Sequence, residues 1–412
     1  MFDMKKNQLE ISSHKGTEAQ RKKKGWEMRK LGDVIEYDKN QNLHKGLPYV
    51  GLEHIESNTG TFLGNPNPQE VKSSTFYFTE EHILYGRLRP YLNKVLLPDF
   101  KGHCSTEIFP IKVKKEIIRK FLFYWLIREE TVKKIDATWT GARMPRANMN
   151  QVLEFDFSFP ILQEQKRIVA TLDKCFTTID KEKANTEQNL RNAKELFESY
   201  LQQVFEGKGK EWEEKELKEL TTVLGDGLHG TPKYTVDGEY YFINGNNLDD
   251  GKIIFKENTK RVNTDEYNKY KKKLDETTIL VSINGTLGNV AFYDGEKIIL
   301  GKSACYFNIK KSVDKKFIKY VLSSPYFLKY AHREATGATI KNVSLKSMRE
   351  FRVPFPPLKE QQAIVRQLDA LRTETQKLEA VYQKKIADLE ELKKSILQKA
   401  FAGELGGNEE KY

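Results

Sequence analysis

Apolar positions in residues 356–403 recur in alternating steps of four and three. From Ile364 the ladder runs through Leu368, Leu371, Thr375, Leu378, Tyr382, Lys385, Leu389, Leu392, Ile396 and Lys399, and eight of these eleven positions are apolar. A period of 3.5 residues predicts a helix with one apolar seam, of the kind that pairs in a left-handed coiled coil. Residues 160–207 carry a second ladder: Ile168, Leu172, Cys175, Ile179, Glu182, Thr186, Asn189, Ala193, Leu196, Tyr200 and Gln203, apolar at its ends and polar in its middle. The two stretches superpose without a gap on a shift of 196. Pro160, Leu162, Glu164, Gln165, Ile168, Val169, Leu172 and Asp173 fall on Pro356, Leu358, Glu360, Gln361, Ile364, Val365, Leu368 and Asp369; Ser199, Gln202, Phe205 and Gly207 fall on Ser395, Gln398, Phe401 and Gly403.

The prolines end any preceding strand, and Glu164 and Glu360 place a carboxylate in the first helical turn, where the dipole favours it. Gly207 and Gly403 stand where a left-handed cap would close each helix. Helices of about 40 residues would run roughly 60 Å. A seam that long needs a partner, and the second copy in the same chain supplies one. Antiparallel pairing within the chain is the expectation, with self-association between molecules as the alternative.

Outside these stretches, short β-like runs alternate with turn signals and one helical segment, which predicts mixed α/β domains. The two globular regions match each other. Tyr49-Val50-Gly51 resembles Tyr241-Phe242-Ile243. Ile83-Leu84-Tyr85, returning at 93–95, resembles Ile279-Leu280-Val281, returning at 289–291. Gly102-His103-Cys104 resembles Gly301-Lys302-Ser303, with one residue of slippage. Gly141-Ala142 and Glu154-Phe155 match Gly337-Ala338 and Glu350-Phe351 at 196. An amphipathic helix is expected at 117–135 and another at 315–331. The chain thus divides into a basic leader (1–24), a first globular domain (25–159), a central helix (160–207), a second domain (208–355), a distal helix (356–403) and a tail (404–412).

Composition adds a direction. The 412 residues suffice for two or three domains, and the net charge of +11 favours phosphate-rich partners. The excess is concentrated in the leader, at +4, and in 208–355, at +6. Cys104, Cys175 and Cys305 have neither pairing nor metal spacing, which suits a reducing, cytoplasmic setting and a packing role. No apolar run approaches the roughly 20 residues of a membrane helix, and the leader lacks a signal-peptide core. No membrane association is expected.

Catalytic motifs are absent or out of context. Gly225, Gly227 and Gly230 spell G-x-G-x-x-G, but Thr231-Pro232-Lys233-Tyr234 follows where a dinucleotide-binding turn requires a helix. The loop suits presentation of His229, Thr231 and Lys233 to a phosphate or base, or is a plain hairpin loop. Ser324-Pro325-Tyr326 lacks the second proline of an adenine-methyltransferase motif and reads as helix punctuation. Pro98-Asp99 lacks the downstream spacing of a metal-dependent nuclease. There is no P-loop, and the histidines have no zinc spacing. No cofactor, metal or catalytic residue is expected in this chain.

Recognition chemistry remains. Arg87 and Arg89 lie on a strand turn, and Thr140, Arg143, Arg146 and Asn148 lie in the loop 139–150. Arginine can grip guanine O6 and N7 with two bonds, and asparagine or glutamine can do so for adenine. The matching places in the second half hold Asn284 and Thr286 on the strand turn, Lys341 and Asn342 on the later loop, and Asn246 and Asn247 after an extended run. Any one of these residues can equally be part of an ordinary solvated loop; as a set they are what two readers of different sequences would need.

The segments FPILQEQKRIVATLD and FPPLKEQQAIVRQLD, the helix ends QQVFEG and LQKAFAG, the DGLHGTPKY run and the Gly141 and Gly337 loops resemble DNA-specificity subunits of type I restriction-modification systems over residues 25–403. The resemblance implies two target-recognition domains on double-stranded DNA, each reading half of a split target, with the helices setting the spacer. It also implies docking of two methyltransferase subunits carrying S-adenosylmethionine, and of motor-nuclease subunits using ATP and magnesium. Catalysis would belong to those partners. The leader before Gly25 departs from the pattern. Two other readings remain at this point: a DNA methyltransferase or endonuclease with unrecognised motifs, and a coiled-coil scaffold with no DNA role.

Overall fold

The structure, a computed structural model, describes residues 25–141, 143–207, 212–337 and 339–405. The leader 1–24, Ala142, Ala338 and most of the tail lie outside them. The chain forms two compact units: residues up to 185 with those from 385, and residues 186–384. Each holds one α/β domain and a stretch of each long helix.

The central helix is Leu162–Glu206 and the distal helix Leu358–Ala402, each 45 residues. They pair antiparallel. In the first unit Lys393 reaches Asp180 at 2.8 Å, Lys183 pairs with Glu390, and Lys385 lies 3.3 Å from Glu182. In the second, Tyr200 Oη donates to Gln367 Oε1 at 3.4 Å and the Arg372 guanidinium lies 5.4 Å from the Phe197 ring centre. The buried positions depart from the predicted ladder. Ile168, Leu172, Ile179, Thr186 and Ala193 are buried as expected, but Phe176, Leu201 and Phe205 replace Cys175, Tyr200 and Gln203. On the distal helix, Leu378 and Leu392 are 41% and 47% exposed and the closing buried positions are Leu397, Ala400 and Phe401. The cause is packing against the domains, which pull the apolar face off a strict heptad at the helix ends. Of the two expected caps, Gly403 alone takes a positive φ, 79°; the Gly207 amide instead continues the helix, donating to Gln203 O at 2.9 Å.

The repeated residues are those that fix each domain to the helices. Gln165, fully buried, accepts from Ile118 N at 2.8 Å and donates to Glu116 O and Pro160 O, both at 2.9 Å. Gln361 accepts from Asp314 N at 2.9 Å and donates to Pro356 O at 2.8 Å. Asp173 takes Tyr124 Oη at 2.5 Å and Lys120 Nζ at 2.9 Å; Asp369 takes Tyr320 and Lys316 at the same distances. Burial pushes the Asp369 carboxyl up, but its bonds to Tyr320 and Lys316 outweigh this and leave it below its ordinary value. The far helix end closes each site: Phe401 packs on Phe121 at 4.9 Å in the first unit, and Phe205 on Phe317 at 5.6 Å in the second.

Each domain has an antiparallel four-stranded sheet. In the first its order is Ile35–Tyr37, Ile108–Val113, Ile83–Gly86, Val95–Leu96. In the second it is Thr221–Asp226, Ala304–Ile309, Thr278–Ser282, Val290–Phe292. The expected helices each split in two, Arg119–Leu126 with Glu129–Asp136 and Lys315–Ser323 with Pro325–Glu334. The second split is punctuated by Ser324, whose hydroxyl caps Phe327 N, and by Pro325 at the first turn.

A smaller sheet differs between the domains. Tyr49–Val50 pairs parallel with Gly102–Cys104, as Tyr240–Ile243 does with Ile298–Leu300. This register corrects two of the sequence matches. Tyr49 corresponds to Phe242, and Gly102 to Ile298 at the common shift of 196, because Tyr49 faces His103 and Phe242 faces Ile299. The remaining strands add on opposite edges: the first sheet runs Gln41–Asn42, Thr75–Phe78, Gly102–Cys104, Tyr49–Val50, and the second Tyr234–Thr235, Arg261–Val262, Tyr240–Ile243, Ile298–Leu300. In the first domain the edge used by Arg261 is reduced to a single bridge between Pro48 and Pro68, which have no amide to donate.

Candidate nucleic-acid interface

The strand turn and the later loop meet in both domains through the same backbone bonds. Arg87 N donates to Glu107 O at 2.9 Å and Ile283 N to Ser303 O at 3.1 Å. Arg89 N donates to Pro145 O at 2.7 Å and Gly285 N to Lys341 O at 2.9 Å. Thr140 and Arg146 exchange two bonds of 3.0 and 3.1 Å, as Thr336 and Asn342 do at 3.0 and 2.9 Å. Gly141 and Gly337 turn each loop with φ of 93° and 98°, which a side chain would strain.

On this common frame the side chains differ. In the first domain Arg146 grips Glu107 through Nε at 2.9 Å and Nη2 at 2.8 Å, and Arg87 Nε adds a bond of 3.0 Å. Arg87 also lies over Phe109, 5.1 Å from its centre. Burial pushes the Glu107 carboxyl up, yet the bonds and charges of Arg146 and Arg87 together hold it below its ordinary value. Arg146 is therefore occupied by Glu107, while Arg87 keeps both terminal nitrogens for another acceptor. Arg89, Thr140 and Arg143 are exposed, and their side chains make no hydrogen bond or ion pair among the described residues. In the second domain Asn284 Nδ2 donates to Asn342 Oδ1 at 3.0 Å, with Thr286 and Lys341 exposed beside them.

Other sequence candidates fall elsewhere. Asn148 caps the helix Met149–Leu153, its side-chain oxygen accepting from Gln151 N at 3.3 Å. Asn247 is buried and holds its own turn, accepting from Asn244 N at 3.1 Å and donating to Ile254 O at 3.0 Å. Asn246 is exposed. His229 bonds Asp226 at 2.6 Å and, with exposed Thr231 and Lys233, occupies the loop before Tyr234–Thr235. Sequence reasoning missed Met144 and Ile340, 46% and 59% exposed at equivalent loop tips; the shift of 196 that pairs them was the available signal. Among the described residues no group of three or more His, Cys, Asp or Glu is placed to hold a metal ion.

Two duplicated frames with unlike side chains agree with the comparisons to known proteins. The profile of the type I restriction modification DNA specificity domain matches twice, at residues 23–192 and 209–388. The chain belongs to that family. It is a specificity subunit, not one of the catalytic subunits. It is 24% identical to the putative MjaX specificity subunit of Methanocaldococcus jannaschii, over 92% of this chain and 93% of that one. It is 30% identical to the EcoDI specificity subunit of Escherichia coli over a shorter stretch, 39% of this chain and 36% of that one. A chain solved in work on assembly and conformational transition of a type I R-M system shares the fold, with TM-score 0.75 and 21% identity over 92% of this specificity subunit and 98% of that chain. The HsdS subunit of Thermoanaerobacter tengcongensis aligns with TM-score 0.60 and 20% identity, covering 92% and 97%.

Proposed function

We propose that residues 25–159 and 208–355 are target-recognition domains, each reading one half of a bipartite sequence in double-stranded DNA. The observation that carries this reading is the shared turn-and-loop frame, bonded alike in both domains but bearing Arg87, Arg89, Arg143 and Glu107 in one and Asn284, Thr286, Lys341 and Asn342 in the other. Phosphate contacts supply sequence-independent affinity and loop side chains discriminate bases. Arg87, held by Glu107 and stacked on Phe109, is preset to grip guanine; Met144 and Ile340 suit the thymine methyl.

The long helices set the gap between half-sites. At 45 residues each runs roughly 68 Å. Leu196, Leu378, Val381 and Leu392, between 41% and 60% exposed on them, offer apolar surface for two methyltransferase subunits, which motor-nuclease subunits would join. S-adenosylmethionine, ATP and magnesium belong to those partners. Among the described residues no helix is long and apolar enough to cross a membrane.

The test is to sequence modified adenines in cells carrying Arg89→Ala/Arg143→Ala, Thr286→Ala/Lys341→Ala, or one helical turn inserted in both long helices. Each double substitution should alter one half-site only, and the insertion only the spacer. Both halves changing together under either double substitution would defeat the assignment.

A further inference from the structure

Residues 252–273 of the second unit carry eight cations, Lys252, Lys256, Lys260, Arg261, Lys269, Lys271, Lys272 and Lys273, against the acids Glu257, Asp265 and Glu266. All eight are exposed, and none forms an ion pair among the described residues. Exposed lysines in this protein otherwise commonly find a carboxylate, as Lys133, Lys134 and Lys218 do. The matching residues 59–77 of the first unit hold only Lys72 and Glu70. There Thr75–Phe78 is a paired strand with Phe76 and Phe78 buried, whereas the corresponding Lys271, Lys272 and Lys273 join no strand.

The cations are interleaved with aromatic rings. Tyr240 and Tyr267 stack at 3.9 Å, Lys271 lies 5.8 Å from the Tyr267 centre, Lys269 4.9 Å from Tyr270, and Arg261 4.7 Å from Tyr241. Rings under the stems limit their freedom, so less entropy is lost when the heads are engaged. The segment also touches two further loops that carry polar candidates, apart from the turn-and-loop frame. Lys256 Nζ donates to Asn246 O at 2.8 Å, and Glu266 Oε2, in the helix Thr264–Tyr270, accepts from Lys233 N at 3.0 Å.

We propose that residues 252–273 form a phosphate-binding surface, confined to the second unit, that grips the DNA backbone flanking that unit's half-site. This rests on the DNA-reading function proposed above. An uncompensated row of cations in the same unit as a reading frame fits a polyanion of regular spacing better than a folded acidic partner, since the charge is spread over strand, helix and coil without a single anchoring pair. The asymmetry follows: the second unit supplies backbone affinity from a segment whose counterpart in the first holds one lysine.

The experiment measures binding of a random-sequence duplex to the full-length chain in complex with its partner subunits, as a function of salt. The variant is Lys269→Gln/Lys271→Gln/Lys272→Gln/Lys273→Gln. The control is Lys133→Gln/Lys134→Gln/Lys215→Gln/Lys218→Gln, which removes equal charge from lysines already paired. Each lysine–phosphate pairing removed should lower the slope of log K against log salt by about 0.9, so the variant slope drops by up to about 3.6 while the control slope and the methylated motif of both proteins stay fixed. Equal slopes for variant and wild type, or equal drops for variant and control, overturn the proposal while leaving sequence reading intact. A wild-type complex that binds DNA with no salt dependence at all would sink the DNA reading itself.

Discussion

The two units hold one frame and use it differently. Where the first buries Thr75–Phe78 in a sheet, the second leaves Lys271 to Lys273 in solvent; where the first locks Arg87 and Arg146 onto Glu107, the second joins Asn284 to Asn342 without a charge. Backbone bonds and the fastenings to the helices are shared to within a few tenths of an ångström. Position is thus set by the frame, and the function proposed here assigns discrimination to side chains that can change without disturbing it.

If the fastenings are equivalent, breaking them must cost the same in both units. Phe205→Ala and Phe401→Ala each empty a fully enclosed ring site, and each should destabilise its own unit by about 3–5 kcal/mol. Hydrogen exchange resolved by unit checks this. A loss spread evenly over both units, or a cost in one only, would break the equivalence. Gln165→Leu and Gln361→Leu come next, at about 3 kcal/mol each, since the amides of Ile118 and Asp314 are left without their acceptor.

The glutamines show how far the sequence could be read. The shift of 196 marked Gln165 and Gln361 as a matched pair, and the heptad marked the helices, because both signals repeat along the chain. Their role was not legible, since it depends on backbone groups some 47 residues away, at Ile118 and Asp314. The same limit applies to the site. Spacing placed Arg87 and Arg146 in loops but gave no sign of Glu107, which lies 20 and 39 residues from them and occupies one of the two. Nor could it separate Asn247, buried in its own turn, from exposed Asn246. Short strands such as Arg261–Val262 are chosen by which edge has free amides, a property of neighbouring strands, so the opposite growth of the two small sheets left no local mark.

The Glu107 cluster gives a comparison that pH can sharpen. Its folded pKa is lowered, so its ion pairs contribute fully above the unfolded carboxylate value of about 4.3 and are lost as pH falls through the lower folded value. Asn284 and Asn342 carry no proton to gain. Acidification below about pH 4.3 should therefore weaken the first unit's loop in a step that Glu107→Gln abolishes, with the variant about 1–2 kcal/mol less stable at neutral pH. Exchange rates of the Thr140 and Arg146 amides report it. An identical pH response in wild type and variant would show that the cluster contributes nothing to holding the loop.

The smallest expected effect isolates the choice of residue from the frame. Arg89 and Gly285 occupy the same place in the two turns, and both take a left-handed backbone, φ 51° and 78°. Glycine tolerates it, whereas an arginine there carries a penalty of about 1 kcal/mol. Nothing in the turn requires the side chain, because Arg89 is exposed and its backbone bond to Pro145 O is kept by any residue. Arg89→Gly should therefore stabilise the first unit by about 0.5 kcal/mol, part of the relief being offset by the greater freedom of glycine in the unfolded chain. At the same time it should lower discrimination at the first half-site alone. Unfolding of the turn by hydrogen exchange and the methylated motif are the two readouts. Stability gained with the motif unchanged would mean that the strain serves some purpose other than base reading. Stability lost would mean that the side chain holds the turn, and the comparison with Gly285 would fail.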